Sequence, residues 1–291
     1  MMLAGRRTGG QRGVALVLVL WLVALLTIVA ASFATHSKVE TRLTTNAIDA
    51  LRSRLLAESG VNRAIIELMV SDPEQRWKSG RIHQIDSDQG RLSLSIRNSS
   101  GLLDLNKAAT DQLINLFALI ADDFQQQEAL AYRLIDWRDG DNLRHLNGAE
   151  DPDYRSAGYA YDTAGRDLAS IDELAYVMGF DAAKVDRLRP YVTLYSDTGA
   201  VDHDYASDEL ISLLKGELEA DDLPSGLLDY DAIDGEDPEL DESGGEASAA
   251  VYRVRVEAVS RQGARTRLLV DIDITSQDDS PYSIRSWHDS L

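Results

Sequence analysis

The sequence predicts an α+β fold, with one long N-terminal helix packed on an antiparallel sheet and a large α-helical domain inserted between the strands. A helical pattern runs from residue 14 past residue 65, and no proline interrupts it before Pro73. Two stretches of alternating apolar and polar residues, at 81–97 and 252–274, have the two-residue period of strands in hairpins. Between these stretches the periodicity is helical, which predicts the inserted domain.

The first element is an uncharged apolar run over residues 14–34, preceded by a basic leader, residues 1–13. At 1.5 Å per residue such a run crosses a bilayer core of roughly 30 Å, and its basic flank is expected to stay cytoplasmic. A plain membrane anchor and a signal peptide cleaved near Ala34 are the alternatives. Neither requires the helical pattern to continue, as it does through Leu43, Leu51 and Ile65.

This N-terminus resembles that of a type IV pilin or type II secretion pseudopilin, because Gly13 ends the basic leader and the apolar helix starts at Val14. The resemblance implies cleavage after Gly13 by a prepilin peptidase, methylation of Val14, and packing of the apolar half-helix in a filament core. The family usually carries Glu at the fifth mature position, where this chain has Leu18. That departure is typical of a subfamily of large minor pseudopilins, general secretion pathway protein K, which residues 12–16 also resemble.

Four strands are expected in two hairpins. Residues 81–85 and 91–97 alternate across a turn at 88–90, and residues 252–258 and 268–274 alternate across a turn at Gly263. Each hairpin has one apolar face, so the four strands can form a sheet against the exported half of the helix. Residues 35–100 and 250–291 would then form the pilin-like body that the resemblance implies.

Residues 101–215 are predicted to form the inserted α-helical domain, which the protein K resemblance also implies. The expected helices are 110–120, 125–137, 171–179, 182–188 and 207–214. Thr110, Ser170 and Ser207 are their predicted N-caps, and Glu173 completes a capping box with Ser170. Segments 101–114 and 199–211 share a glycine, an aspartate and a capped helix, which suggests two related units.

Six carboxylates fall within eighteen residues that also contain glycine and proline turns. They are Asp136, Asp139, Asp141, Glu150, Asp151 and Asp153. Converging oxygens are what a Ca²⁺ site needs, although the spacing is not that of an EF-hand. A solvated acidic loop is the alternative. Because pseudopilins bind Ca²⁺ and the resemblance extends to residues 148–151, the six are candidate Ca²⁺ ligands.

A second acidic segment, residues 216–249, is predicted to link the inserted domain to the last strands. Its central part, 217–246, contains thirteen acids and no lysine or arginine. Such a composition is typical of a solvated linker. Partial ordering around Ca²⁺ through Asp231, Asp234, Glu236 or Asp237 is the alternative.

Composition excludes several classes of function. Without cysteine there are no disulfides, zinc–thiolate sites or cysteine nucleophiles, and a net charge of −20 opposes nucleic-acid binding. The sequence contains no nucleophile elbow, P-loop or dinucleotide fingerprint. We therefore expect a protein that is not an enzyme. A membrane-anchored or secreted periplasmic hydrolase using paired carboxylates from 136–153 is the alternative.

The resemblance implies a minor pseudopilin at the tip of the type II secretion pseudopilus, which helps to initiate the filament and to export folded proteins across the outer membrane. The implied partners are the minor pseudopilins I and J, the major pseudopilin, the inner-membrane assembly platform and the prepilin peptidase. The implied location is the bacterial inner membrane, crossed once, with the C-terminal body in the periplasm.

Overall fold

A computed structural model describes residues 12–70, 77, 80–196, 198–217, 251–275 and 280–290. The first eleven residues of the predicted leader lie outside this part of the chain. So does nearly all of the predicted acidic linker, including the four acids considered there as Ca²⁺ ligands.

Helix α1 spans Arg12–Leu68, and its 57 residues confirm the prediction of one long helix. Its first half is apolar and long enough to cross a membrane. The most apolar 18-residue stretch has a mean hydropathy of 2.8, and none of it is buried. In the second half Ala57, Val61 and Ala64 are buried, whereas Leu43 and Leu51 of the predicted stripe are exposed. Among the residues that the structure describes, the body of the protein thus covers the last third of α1.

In the described part of the chain the main sheet is antiparallel and has five strands in the order β1-β2-β5-β6-β7. The strands are β1 (Ile82–Asp86), β2 (Gly90–Asn98), β5 (Val251–Ser260), β6 (Arg265–Asp273) and β7 (Ser283–Ser290). Four of them confirm the two predicted hairpins. Strand β7 was not predicted, because its apolar residues Ile284 and Trp287 are three positions apart and do not alternate. It pairs with β6 through a β-bulge opposite Asp271 and Ile272, which shifts the register.

The first hydrophobic core lies between α1 and one face of this sheet. Helix residues Leu56, Val61 and Ile65 pack with strand residues such as Leu94 and Val256. A Cβ at Gly60 would lie 2.8 Å from side-chain carbons of Leu92 and Val256, so this glycine allows the helix its close approach. The core confirms that the sheet packs on the C-terminal half of the helix.

The second core belongs to the inserted domain between β2 and β5. Its helices are α2 (Thr110–Phe117), α3 (Phe124–Arg138), α4 (Asp151–Ser156), α5 (Ala182–Leu188) and α6 (Asp208–Leu214). Short 3-10 helices lie at Ser99–Gly101, Ile171–Tyr176 and Arg189–Tyr191. A parallel pair, β3 (Leu103–Asp104) and β4 (Val192–Thr193), was not predicted. An α-helical insertion is confirmed.

Three details of the inserted domain correct the predictions. The segment expected to be an α-helix over 171–179 is a 3-10 helix that ends at Tyr176. Ala109, not Thr110, is the N-cap of α2, and Gln112 accepts its backbone N–H at 3.0 Å. Ser170 is the N-cap of this 3-10 helix, as predicted, but its side chain makes no capping bond, and Glu173 accepts from the backbone of Ala169 instead of completing a box with Ser170. The N-cap at Ser207 is confirmed by a 3.3 Å bond from Leu210 N.

The two segments with a shared pattern lie against each other. A Cβ at Gly101 would overlap the carbonyl of Tyr205, and a Cβ at Gly199 would overlap that of Lys107. Asp104 accepts the backbone N–H two residues on, as Asp202 does in the second segment. The repeated glycines thus allow each unit to approach the backbone of the other, which agrees with two related units.

Candidate functional site

The acidic loop, residues 136–153, connects the end of α3 to the start of α4. Asp136 is fully buried in the last turn of α3, and Glu150, which is 2 % exposed, immediately precedes α4. Gly148 packs directly on the carboxylate of Asp136, where a Cβ would overlap it. The two ends of the loop therefore meet, although Asp136 and Glu150 are fourteen positions apart in the chain.

Four of the six candidate ligands come together, and a histidine joins them. Asp139, Asp141 and Glu150 each place a carboxylate oxygen within 4.8 Å of the others. Asp136, Asp139 and His145 form a second group by the same measure, so Asp139 belongs to both. His145 was not predicted, although its position between the two acidic halves of the loop was a visible signal.

Three carboxylate oxygens at the centre lack hydrogen-bond partners among the described residues. Both side-chain oxygens of Glu150, and Oδ1 of Asp139, are buried and accept no hydrogen bond from any described residue. Burial raises the pKa of Glu150 to about 7, and the negative charges of Asp136 and Asp139 add to the rise. Burial also raises the pKa of Asp139. Buried, unpaired carboxylates at this spacing are costly, and a bound divalent cation would offset that cost.

Asp136 fixes the position of His145. Its Oδ1 lies 2.5 Å from Nδ1 of His145, and both oxygens lie 3.4 Å from the backbone nitrogen of the same residue. The ring of Tyr132 stacks on the imidazole with centroids 5.3 Å apart. These contacts attach the middle of the loop to α3.

The remaining two candidates have partners of their own. Asp151 accepts from the backbone and hydroxyl of Thr163, at 3.1 and 2.8 Å, and these bonds lower its pKa. Asp153 accepts from the backbone of Glu150 and pairs with Arg144 at 2.9 Å. Asp151 and Asp153 thus hold the surrounding chain in place. The oxygens of Asp139, Asp141 and Glu150 converge, and Asp136 lies beside them in the group that Asp139 shares with His145.

This geometry argues against the hydrolase alternative. Acid–base catalysis by a carboxylate pair requires that a substrate reach both groups. Asp136 is inaccessible to solvent and engaged with His145, and Glu150 is 2 % exposed. The arrangement fits a structural cation site better than a site for a reacting substrate.

The residues expected to act in processing and filament packing lie at the start of α1. Gly13 and Val14 are in its first turn, directly after the part of the chain that the structure leaves undescribed. Leu18 is 64 % exposed on the apolar surface of the candidate span.

A family model described as type II secretion system protein K matches residues 92–197, which run from β2 through β4. Among curated proteins, type II secretion system protein K of Klebsiella pneumoniae is 27 % identical over 209 residues, 64 % of each chain. The protein of the same name in Pseudomonas aeruginosa is 28 % identical over 228 residues, 70 % of this chain and 68 % of the relative. This chain thus spans about two thirds of the length of these relatives.

The fold is similar to a chain in the crystal structure of the GspK–GspI–GspJ complex from the type 2 secretion system of enterotoxigenic Escherichia coli. The match has a TM-score of 0.57 and 19 % identity, and it covers 87 % of this chain and 99 % of the other. This chain therefore combines a long N-terminal helix with an antiparallel sheet and further helices, as that structure does.

Proposed function

We propose that this chain is a member of the type II secretion system protein K family, whose model matches residues 92–197, and that it is a minor pseudopilin, a structural and non-enzymatic subunit of the type II secretion pseudopilus. The observation that carries the proposal is the two-part character of α1. Its first half exposes an apolar surface, and its second half packs under the sheet of a folded body. A subunit built in this way can be anchored in a membrane and can also be added to a filament through the same helix.

We propose a position at the filament tip. The described part of the inserted domain adds five α-helices to the pilin-like body, and such a bulky body fits poorly within a tightly packed helical array. The similar solved chain is found in a complex with GspI and GspJ, so minor pseudopilins I and J are the proposed neighbours. The major pseudopilin, the inner-membrane assembly platform and the prepilin peptidase are the other proposed partners, and folded proteins are the proposed cargo.

The proposed location is the inner membrane, with the C-terminal body in the periplasm. The prepilin peptidase is proposed to cut after Gly13 and to methylate Val14. The substitution Gly13→Arg removes the small residue at the cut, so the variant should stay uncleaved in the membrane.

Leu18 suits a first subunit. A glutamate in the bilayer without a partner costs about 2.5–3.5 kcal/mol on insertion scales. A subunit at the tip has no subunit ahead of it whose amino terminus could pair with that glutamate. The uncharged side chain of Leu18 avoids this free-energy cost of insertion.

The acidic loop is proposed to hold Ca²⁺ through Asp136, Asp139, Asp141 and Glu150. Three buried oxygens without partners, on Asp139 and Glu150, support this assignment. The bound ion would supply positive charge and hold α3 and α4 together. Asp151 and Asp153 would keep the chain around it in place.

Labelling of assembled filaments tests the proposed function. Deletion of the protein should impair filament initiation and secretion, and a label on the inserted domain should appear once, at one end of each filament. Labels spaced along the whole filament would refute the tip position. Normal secretion and filaments in the deletion strain would refute the role in secretion.

A further inference from the structure

Two basic residues of α1 follow its apolar run closely. The run, residues 14–34, contains no charged side chain, and Lys38 is the first lysine or arginine after it. Arg42 comes four positions later, so the two side chains lie one turn apart on the same face of the helix. Both residues are exposed. We call Lys38 and Arg42 the basic pair.

The basic pair has no counter-charge within the described part of the protein. Neither side chain makes a hydrogen bond or an ion pair with any described residue. Arg54, further along the same helix, instead pairs with Glu58 at 3.0 Å. Glu40 stands between the two basic residues in the sequence, but it is two positions from each and faces about 200° away around the helix axis. The two positive charges are therefore available to an anion outside the chain.

The helix geometry places the basic pair at the surface of the membrane that α1 is proposed to cross. With a rise of about 1.5 Å per residue, Lys38 lies about 6 Å beyond the end of the apolar run and Arg42 about 12 Å beyond it. Side chains of an α-helix lean toward its N-terminus, which here is the side of the apolar run. The headgroup layer is about 5–8 Å thick on each face of a bilayer. Long basic side chains that lean toward this layer can place their charges in it.

Cleavage at the proposed site would leave the basic pair as the main positive charge near the span, and this step rests on the proposed function. The leader contains Arg6, Arg7 and Arg12, and a cut after Gly13 removes all three. No lysine or arginine then precedes residue 38. The next basic residue after the pair is Arg52, about 27 Å beyond the end of the apolar run.

We propose that Lys38 and Arg42 bind the phosphate groups of anionic phospholipids in the periplasmic leaflet. Ammonium and guanidinium groups both donate charge-assisted hydrogen bonds to phosphate oxygens. The lipid is the expected occupant because the same helix enters the bilayer only four residues before Lys38. This contact adds a lipid class and a leaflet to the anchor role of α1. It would fix the depth of the mature helix until the subunit leaves the membrane for the filament.

Lipid selectivity tests this inference with the protein purified from the inner membrane and placed in phospholipid bilayers. Electron paramagnetic resonance measures how much spin-labelled phosphatidylglycerol, compared with spin-labelled phosphatidylcholine, is immobilised at the protein surface. The test variant is Lys38→Gln with Arg42→Gln. The matched control is Arg52→Gln, because Arg52 is exposed on the same helix but lies far from the membrane surface. Any contribution of the leader is the same in all three proteins.

The native protein should prefer phosphatidylglycerol, and the Arg52 variant should keep that preference. The double variant should lose about fivefold in relative affinity for each basic side chain removed. A native protein without the preference, or a double variant that keeps it, would overturn the inference alone. A double variant that keeps the preference but fails in secretion would show that the pair faces an acidic partner protein, which also overturns it. A protein that does not enter the bilayer would refute the proposed membrane location as well.

Discussion

Arg253 and Asp271 form a buried, bidentate ion pair at the boundary between the sheet and the inserted domain. Arg253 Nε and Nη2 donate to the two carboxylate oxygens of Asp271 at 2.7 and 3.0 Å, with the side chains 4 and 1 % exposed. Nη1 of Arg253 also donates to the carbonyls of Arg189 and Val192. One side chain of β5 therefore holds the inserted domain on the pilin-like body.

Breaking this pair from one side should destabilise the protein strongly. Arg253→Met leaves Asp271 buried without its counter-charge, at an expected cost of about 3–5 kcal/mol in the free energy of unfolding. Combining Arg253→Met with Asp271→Leu should restore part of that loss, because no isolated charge remains. Denaturant unfolding in detergent measures the free energy of unfolding of the single and the double variant. A double variant less stable than the single one would contradict this account.

The matched control for the ion pair is Arg261→Met. Arg261 pairs with Asp88 on the surface, with the two side chains 62 and 102 % exposed. Solvent screens such a pair, so the control should unfold like the native protein.

Glu150→Gln should separate the effect of the cation from the stability of the cation-free protein. The amide removes a buried charge, so the cation-free variant should unfold at the same temperature as the native protein or higher. It should also lose most of the stabilisation by Ca²⁺, which for a native site is about 2.7 kcal/mol at a hundredfold excess over Kd. Thermal unfolding with and without Ca²⁺ measures both effects.

Asp162→Asn is the control for that experiment, because Asp162 pairs with Arg155 outside the carboxylate cluster. It should keep the full response to Ca²⁺. If millimolar Ca²⁺ leaves the melting temperature of the native protein unchanged, the carboxylates are a solvated surface and not a cation site.

Gly148→Ala should damage the same site without changing any charge. The added Cβ would overlap the Asp136 carboxylate, so the loop must move away from α3. Overpacking of this kind typically costs about 1–3 kcal/mol, and we expect weaker Ca²⁺ binding by calorimetry. Gly140→Ala is the matched control, since its Cβ would meet only a carbonyl at 3.8 Å. Equal effects of the two substitutions would disprove the close packing at Gly148.

Stability should fall in mild acid because of His83. Its ring stacks on Trp77 with centroids 3.8 Å apart, and Nε2 is buried without a hydrogen-bond partner among the described residues. Burial, and then the charge of Arg81, lower the pKa of His83 below its ordinary value of 6.5. The contribution of the neutral His83 ring to the free energy of unfolding is therefore complete above pH 6.5, and it is lost as the pH falls through the lowered pKa.

Melting temperatures between pH 7.5 and pH 5 test the role of His83. His83→Gln should reduce the decline in acid, whereas His203→Gln, at an exposed position, should leave it unchanged. An unaltered decline in the His83 variant would assign the acid sensitivity to other groups.

The long elements could be predicted from the sequence because their patterns are local. Helix α1 and the two hairpins show their periods over many residues. Strand β7 was missed because a bulge breaks its alternation. Strands β3 and β4 were missed because each has two residues, and their partners lie far apart in the chain. Helix α4 was missed because Pro152 was interpreted as a turn, whereas proline is well accepted in a first helical turn.

The candidate site was predictable as a region and not as a ligand set. Turns and acids identified the loop at 136–153. Which carboxylates converge depends on contacts that no local pattern contains. Asp151 accepts a hydrogen bond from Thr163. Asp153 accepts from Arg144 and from the backbone of Glu150. His145 enters the cluster because the loop folds back onto Asp136.

The intact mass of the mature protein tests the central claim most directly. A pseudopilin processed by the prepilin peptidase begins at Val14 and carries one methyl group on its amino terminus. Mass spectrometry of the protein purified from the inner membrane should give the mass of residues 14–291 plus one methyl group. A protein that begins at Thr35, or that retains the leader in a strain with active peptidase, would contradict the assignment.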